Sequence, residues 1–174
     1  KISLLPEACN IGAMLRSLSE EFNTSDKKRG TVRTGSCDAE PLVCDPAHVE
    51  EALRNLIANG LDAAGEKGEV VLSYQSLPRK RYAIIRVTDN GCGMDGETAK
   101  QLFEPYYTTK AGGDNLGLGL YYCWNVMSAH GGSIRVASQP GEGSTFSLLF
   151  PVKRKKRRRT DDGADPDCSG GGRS

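Results

Sequence analysis

The sequence is poor in the residues that build metal centres and disulfide frameworks. It contains two histidines, and its six cysteines form no Cys-x-x-Cys pair and show no regular spacing. This composition argues against a zinc site, and scattered thiols are typical of a reducing compartment.

No apolar run approaches the roughly 20 residues of a membrane-spanning helix, and the first residues show no signal-peptide pattern. We therefore expect a cytoplasmic domain. Because the chain starts at Lys1 without a methionine, we expect it to be a fragment of a longer protein, which can itself be membrane-anchored.

Positive charge is unevenly distributed along the chain, because the last 22 residues are rich in cations. Residues 153–174 hold eight of the 23 lysines and arginines and four of the 22 acidic residues, so the other 152 residues carry 15 basic and 18 acidic groups, a net charge of −3. The 174 residues suffice for one domain with a hydrophobic core. We predict a folded domain over residues 1–152 and a disordered tail over residues 153–174.

Residues 82–88 predict an apolar strand, and a sharp turn follows it. The turn begins with Asp89 and contains Gly91 and Gly93. A carboxylate can accept a hydrogen bond from the amino group of a ligand, and glycines let a ligand approach the main chain closely. An Asp-x-Gly-x-Gly turn is equally typical of an ordinary hairpin, so these residues alone leave both interpretations open.

Two helices are predicted from their caps and apolar periodicity. Asn10 is a suitable N-cap for a helix over residues 11–22, and Asp45 followed by Pro46 begins a longer helix that runs to about Ala64. The longer helix has an apolar stripe and, on another face, a row of polar side chains at i, i+4 and i+7. This row consists of Asn55, Asn59 and Asp62. It fits either a solvated face or a set of oxygen ligands for a hard cation such as Mg²⁺.

The remaining periodic segments predict further strands and two shorter helices. Strands are predicted at residues 31–34, 41–44, 69–75, 133–138 and 144–152. One helix is predicted at about residues 96–103, and another follows the glycine-rich segment 111–120 and ends at Gly131. Glycines ahead of a helix N-terminus leave backbone N–H groups that suit an anion, and a glycine hinge suits a mobile lid, although a plain connector has the same composition.

Five of these segments, in chain order, resemble the ATP-binding motifs of sensor histidine kinases. They are residues 55–63 (NLIANGLDA, the N box), 89–93 (DNGCG, the G1 box), 102–110 (LFEPYYTTK, the F box), 117–120 (GLGL, the G2 box) and 141–146 (GEGSTF, the last glycine motif). The resemblance spans roughly residues 40–152, and its F box is similar to the nitrogen-regulation type. It implies the ATP-binding catalytic domain of a bacterial two-component histidine kinase in the GHKL superfamily. The implied fold is the α+β Bergerat fold, a two-layer α/β sandwich with helices on one face of a mixed sheet.

The resemblance also implies roles for individual residues. Asn59, assisted by Asn55, would bind a Mg²⁺ ion that bridges the ATP phosphates, and Asp89 would accept a hydrogen bond from the adenine amino group. Lys110 would hold the phosphates, and Thr145 would reach the adenine through water. The catalytic residues so implied are Asn55, Asn59 and Lys110. The full set implied for ATP is Asn59, Asp62, Asp89, Gly91, Gly93, Met94, Thr109, Lys110, Gly117, Leu118, Gly119, Leu120 and Thr145, and Ile57 is a further candidate for contact with the ring.

Position 55 distinguishes kinases from hydrolases in this superfamily. By resemblance, the hydrolases have a water-activating glutamate there, whereas this chain has an asparagine, which cannot serve as a general base. We therefore expect transfer of the γ-phosphoryl group to a protein acceptor, carried by positioning and charge stabilisation. A degenerate ATP-binding signalling module and a true ATPase of the superfamily are the alternatives. Gly60 stands where the N box usually has alanine, a departure that weakens a helix by about 1 kcal/mol.

The phosphoryl acceptor is not evident in the chain. Neither His48 nor His130 lies in a sequence similar to the family's acceptor motif, so both are expected to be structural. The implied partners are ATP, a histidine-bearing dimerisation domain of the same kinase, and a response regulator. The basic run from Lys153 to Arg159 is expected to be solvated. It lacks interleaved aromatic residues, which argues against nucleic-acid binding, and it suits at most a weak contact with an anionic surface.

Overall fold

The computed structural model describes residues 1–26, 29–104 and 118–153. The helices are α1 (Ile11–Thr24), α2 (Pro46–Ala64), α3 (Gly96–Gln101) and α4 (Gly119–Ala129). The strands are β1 (Glu7–Cys9), β2 (Thr31–Cys37), β3 (Leu42–Cys44), β4 (Glu69–Leu77), β5 (Tyr82–Asp89), β6 (Ser133–Gln139) and β7 (Gly143–Pro151). A 3₁₀ turn, Pro78–Lys80, joins β4 to β5.

Five strands form one mixed sheet in the order β2-β4-β5-β7-β6. Strand β2 runs parallel to β4, and the other neighbouring strands are antiparallel. Successive side chains of a strand point to opposite faces, and in β4 the buried ones are Val70, Leu72 and Tyr74. Helices α1, α2 and α4 pack against this face, and the core lies between the two layers. This arrangement confirms the predicted α/β sandwich with helices on one face of a mixed sheet.

The helix caps lie where the sequence predicts them. Asn10 Oδ1 accepts a hydrogen bond from the Ala13 N–H at 3.0 Å, and Asp45 Oδ1 accepts one from the His48 N–H at 3.1 Å. Each cap satisfies one of the backbone donors that the first turn of a helix leaves without an internal partner. Helix α2 begins at Pro46 and ends at Ala64, as predicted, and its apolar stripe is buried against the sheet.

Several elements differ from the sequence prediction. Strand β1 was not predicted, because three residues are too few to show a periodicity; it pairs with β3 in a small antiparallel sheet. Strand β2 extends to Cys37 through an irregularity in its pairing with β4, and α3 ends at Gln101, two residues early. Most of the predicted tail (residues 154–174) and the segment 105–117 lie outside the described residues. Within the described ranges, no helix is both long and apolar enough to cross a membrane.

Asp45 connects the N-terminal segment with helices α2 and α4. Its Oδ2 accepts the Leu5 N–H at 2.7 Å and lies 3.0 Å from His48 Nδ1, and its own backbone N–H donates to His130 Nε2 at 2.9 Å. The other ring nitrogen of His130 lies 2.7 Å from the Val126 carbonyl oxygen in α4, to which it donates. Asp45 is only 3% exposed. The Leu5 N–H and the contacts with His48 lower the pKa of Asp45 to about 2.

We expect Asp45→Ser to keep the cap of α2 but to remove the charged acceptor. Folding lowers the pKa of Asp45 from 3.8 to about 2, so its contribution to stability is complete above about pH 4 and is lost as the pH falls towards 2. The free energy of unfolding, measured with urea at a series of pH values, is expected to fall more steeply between pH 4 and pH 2 in the wild type than in the variant. Equal slopes for the two proteins would contradict this assignment.

Candidate functional site

Asp89 is the last residue of β5, and its carboxylate faces the helical layer. It shares a sheet face with Val87 and is 5% exposed. The Gly91 N–H donates to Asp89 Oδ1 at 2.9 Å, and the Ser144 backbone N–H donates to the same carboxylate. Burial raises the pKa of Asp89, and these two N–H groups oppose the shift in part. The residue is therefore a buried acceptor that suits a ligand's amino group.

The turn after Asp89 is locked to the β6–β7 hairpin. The Gly141 N–H donates to the Cys92 carbonyl at 2.6 Å, and the Met94 N–H donates to Ser138 Oγ at 2.8 Å. Gly93 has a φ of 67°, and a Cβ there would overlap the carbonyl oxygen of Gln139. A glycine is therefore required at this position both for its backbone conformation and for the close approach of the hairpin.

The structure corrects the predicted role of Thr145. Thr145 lies opposite Thr88 in the pairing of β5 with β7, and their hydroxyl oxygens are 3.1 Å apart on the face of the sheet away from the helices. Ser144 lies opposite Asp89 and is buried on the helical side. Because neighbouring strand residues point to opposite faces, a shift of one residue exchanges the two roles. Ser144, and not Thr145, is the hydroxyl residue beside Asp89.

Gly60 explains how α2 can lie directly against Asp89. A Cβ at position 60 would stand 3.0 Å from Val70 Cγ2 and 3.3 Å from Asp89 Cβ, both tighter than ordinary contacts. The glycine that departs from the usual motif thus lets the helix pack closely on the sheet at the buried carboxylate. The loss of helix propensity is compensated by this close packing, a reason that the sequence alone did not provide.

Asn55 and the start of α4 form the second part of the site. The Asn55 Nδ2 group donates to the Glu51 carbonyl at 3.1 Å, and its Oδ1 faces α4: a Cβ at Gly119 would lie 2.9 Å from it. Helix α4 begins at Gly119, and no side chain caps it within the described residues. An amide oxygen therefore lies beside the positive end of a helix dipole, an arrangement that suits a cation together with an anion.

The other predicted site residues lie on α2, at the start of α4, in the hydrophobic core or outside the described residues. Asn59 is half-buried on α2, one turn from Asn55, and Asp62 Oδ1 lies 3.7 Å from Arg29 Nη1 in an exposed ion pair. Leu118 and Leu120 flank the start of α4, whereas Ile57 is completely buried in the core and has no surface to offer a ligand. The predicted contacts Thr109, Lys110 and Gly117 lie outside the described residues.

Sequence reasoning missed Ser138 and Ser144. Ser144 and Thr145 are neighbours in the last glycine motif, and the motif alone does not indicate which of the two faces Asp89. Ser138 is the next-to-last residue of β6, in which exposed and half-buried residues alternate, and nothing in its type or spacing distinguishes it from a surface serine. The pairing register of the two strands would have been needed to find either residue.

The first residues of α3 and α4 offer a matched test of the contact with Asn55. We expect Gly119→Ala to weaken the binding of ATP, the ligand that the sequence motifs imply, by about tenfold, because the added Cβ crowds Asn55 Oδ1. Gly96→Ala changes the equivalent first residue of α3, where a Cβ would meet nothing within 4 Å. Calorimetric titration of both variants checks this, and equal affinities for the two would contradict the contact.

Comparisons with known proteins agree with this architecture. Residues 44–154 match the family described as Histidine kinase-, DNA gyrase B-, and HSP90-like ATPase. The sensor histidine kinase ZraS of Escherichia coli (strain K12) is 36% identical over 143 residues, which are 82% of this chain and 29% of ZraS. The signal transduction histidine-protein kinase AtoS of the same organism is 36% identical over 115 residues, 66% of this chain and 18% of AtoS. The chain thus spans less than a third of the length of these relatives.

Solved structures share the fold. The nucleotide-free catalytic domain of the histidine kinase ThkA has a TM-score of 0.74 at 24% identity, covering 85% of this chain and 96% of that one. Full-length ShkA in complex with AMPPNP has a TM-score of 0.73 at 23% identity, covering 88% of this chain and 33% of that one. The family match, the two relatives and the shared fold lead to one conclusion: the chain belongs to the histidine kinase-, DNA gyrase B- and HSP90-like ATPase family, as an ATP-binding catalytic domain of the sensor histidine kinase kind.

Proposed function

We propose that this domain binds ATP together with Mg²⁺ and transfers the γ-phosphoryl group to a histidine on a dimerisation domain of the same kinase, for relay to a response regulator. The observation that carries the proposal is the contact between Asn55 and the N-terminus of α4. In that position the amide oxygen can coordinate a metal ion, but an amide group cannot take a proton from water. The site is therefore suited to holding ATP for transfer rather than to hydrolysing it.

Helix α2 gives the proposed site its dimensions. Gly60 packs against Asp89, and Asn55 lies five residues earlier on the same helix, which is about 7.5 Å along its axis. Asn59 lies between them. We propose that the adenine binds at Asp89 and Met94, that the phosphates bind at Asn55 and Gly119, and that the ribose spans the interval.

The chain's own donor set fits Mg²⁺ bound jointly with phosphates. Mg²⁺ prefers oxygen ligands, keeps several waters, and is typically held by few protein groups plus the phosphates of a substrate. Asn55 and Asn59 supply two neutral amide oxygens, so they add no negative charge next to the phosphates. When bound, the ion neutralises charge on the phosphate oxygens, while the two side chains and the N–H groups of α4 fix their orientation.

Further parts of the proposal concern residues that the structure does not describe and regions outside the chain. We propose that Thr109, Lys110 and Gly117 contact the phosphates, and that the kinase is of the nitrogen-regulation type. We also propose a domain over residues 1–152 that works in the cytoplasm, followed by a solvated tail. The cations from Lys153 to Arg159 would then give at most a weak, salt-sensitive contact with an anionic surface.

Asp89→Asn tests the adenine position. The substitution replaces a charged acceptor by a neutral amide of the same shape, and a hydrogen bond to a charged group contributes about 1.5–3 kcal/mol. We therefore expect a loss of ADP affinity of about 10- to 100-fold in calorimetric titration. Thr145→Ala is the matched control on the same strand pair, with an expected affinity close to that of the wild type. An Asp89→Asn affinity within twofold of the wild type would remove Asp89 from the base site.

Phosphoryl transfer tests the proposed reaction. The chain is mixed with Mg²⁺ and ATP labelled in the γ-phosphate, together with the histidine-bearing domain of the parent kinase or of ZraS. We expect acid-labile label on the acceptor, no label when the acceptor histidine is replaced by glutamine, and little ATP turnover without acceptor. Asn59→Ala is expected to abolish transfer.

The same assay separates the alternatives. Rapid turnover without an acceptor would favour an ATPase. Tight ATP binding without transfer to either acceptor would favour a non-catalytic signalling module.

A further inference from the structure

Ser138 forms a three-way junction between the turn after β5 and the β6–β7 hairpin. Its Oγ accepts the Met94 N–H at 2.8 Å, donates to the Gly143 carbonyl at 3.0 Å and lies 2.7 Å from Ser144 Oγ. A hydroxyl group has one hydrogen to donate and two lone pairs that accept. These three contacts therefore use the whole hydrogen-bonding capacity of Ser138.

The proton positions in this junction follow from counting donors. The Met94 N–H can only donate, and the Gly143 carbonyl can only accept, so the single hydrogen of Ser138 goes to Gly143. The contact between the two serine hydroxyls still needs a hydrogen, and only Ser144 can supply it. Ser144 thus donates its hydrogen to Ser138 and is left with lone pairs alone.

The orientation of the Ser144 hydroxyl determines which hydrogen-bonding groups lie beside Asp89. Ser144 and Asp89 are directly opposite on adjacent strands and on the same buried face, where cross-strand Cβ atoms lie about 4.5–5.5 Å apart. The carboxylate accepts hydrogen bonds, and the oriented Ser144 hydroxyl does so as well. Every side-chain oxygen that this strand pair presents here is then an acceptor, which favours a ligand that donates and disfavours one that presents its own carbonyl oxygen.

We infer that Ser138 is a positioning residue for base specificity: by holding the Ser144 hydroxyl as an acceptor, it makes the site discriminate 6-aminopurine from 6-oxopurine nucleotides. The inference rests on the proposed function, because it requires the amino group of the base to meet Asp89. Ser138 itself touches no ligand in this scheme. It acts through Ser144 and through the backbone of the turn at Met94.

The test compares adenosine diphosphate with inosine diphosphate, which carries an oxygen in place of the amino group. The dissociation constants of both are measured by calorimetry with Mg²⁺ for the wild type and for Ser138→Ala. Loss of the Ser138 oxygen frees the Ser144 hydrogen to turn towards a carbonyl oxygen. We expect the ratio of the inosine to the adenosine constant to fall about fivefold, the equivalent of one neutral hydrogen bond.

Two further variants separate positioning from folding. Ser138→Thr retains a hydroxyl and is expected to restore the wild-type ratio, and Ser133→Ala, at the exposed start of β6, is expected to leave it unchanged. In a Ser144→Ala background, Ser138→Ala is expected to have no effect on the ratio, because the hydroxyl that it orients is gone. Ser144→Ala alone is expected to lower the ratio, which provides a test even where Ser138→Ala fails to fold.

The outcomes are distinguishable. Equal losses of affinity for both nucleotides in Ser138→Ala, with an unchanged ratio, would show that Ser138 only supports the fold and would overturn the inference. A wild type that binds both nucleotides equally would overturn it as well. No binding of adenosine diphosphate by the wild type would instead contradict the proposed function.

Discussion

The site depends on one close approach of two backbone turns. The turn after β5 and the β6–β7 hairpin are joined by two hydrogen bonds, from Gly141 to Cys92 and from Met94 to Ser138. Glycine at position 93 is what allows the two chains to come so near. This contact fixes the direction in which β5 ends, and thereby the direction of the Asp89 carboxylate. A larger side chain at the turn would separate the hairpin from the strand and move the carboxylate with it.

The helical layer packs against the end of β5 on the side opposite the hairpin. Helix α2 crosses the end of β5 at Gly60, so that the buried carboxylate is enclosed between a helix and a hairpin. The same helix carries Asn55 to the start of α4, and Asp45 at its N-terminus fixes the segment at Leu5. One helix therefore aligns the parts of the site that come from distant regions of the sequence.

Much of this could be predicted from the sequence, since the signals are local. The caps at Asn10 and Asp45, the stripe of α2 and the strand that ends at Asp89 all follow from residue types within a few positions. The misses are of another kind. Choosing between Ser144 and Thr145 requires the strand register, and the reason for Gly60 is a contact with β4 and β5. Such features depend on which elements meet in space, and periodicity within one segment carries no information about that.

The two halves of the site differ in the type of structure that holds them. The buried acceptor end is made of strands and a hairpin, whose hydrogen bonds run between segments and determine its shape at several points at once. The end at Asn55 and Gly119 is a contact between two helices, each of which is continuous in itself. A small rotation or translation of α4 along α2 would alter the end at Asn55 and Gly119 and leave the acceptor end at Asp89 unchanged. The architecture thus separates the choice of ligand from the placement of its reactive group, so that either property can change in evolution without loss of the other.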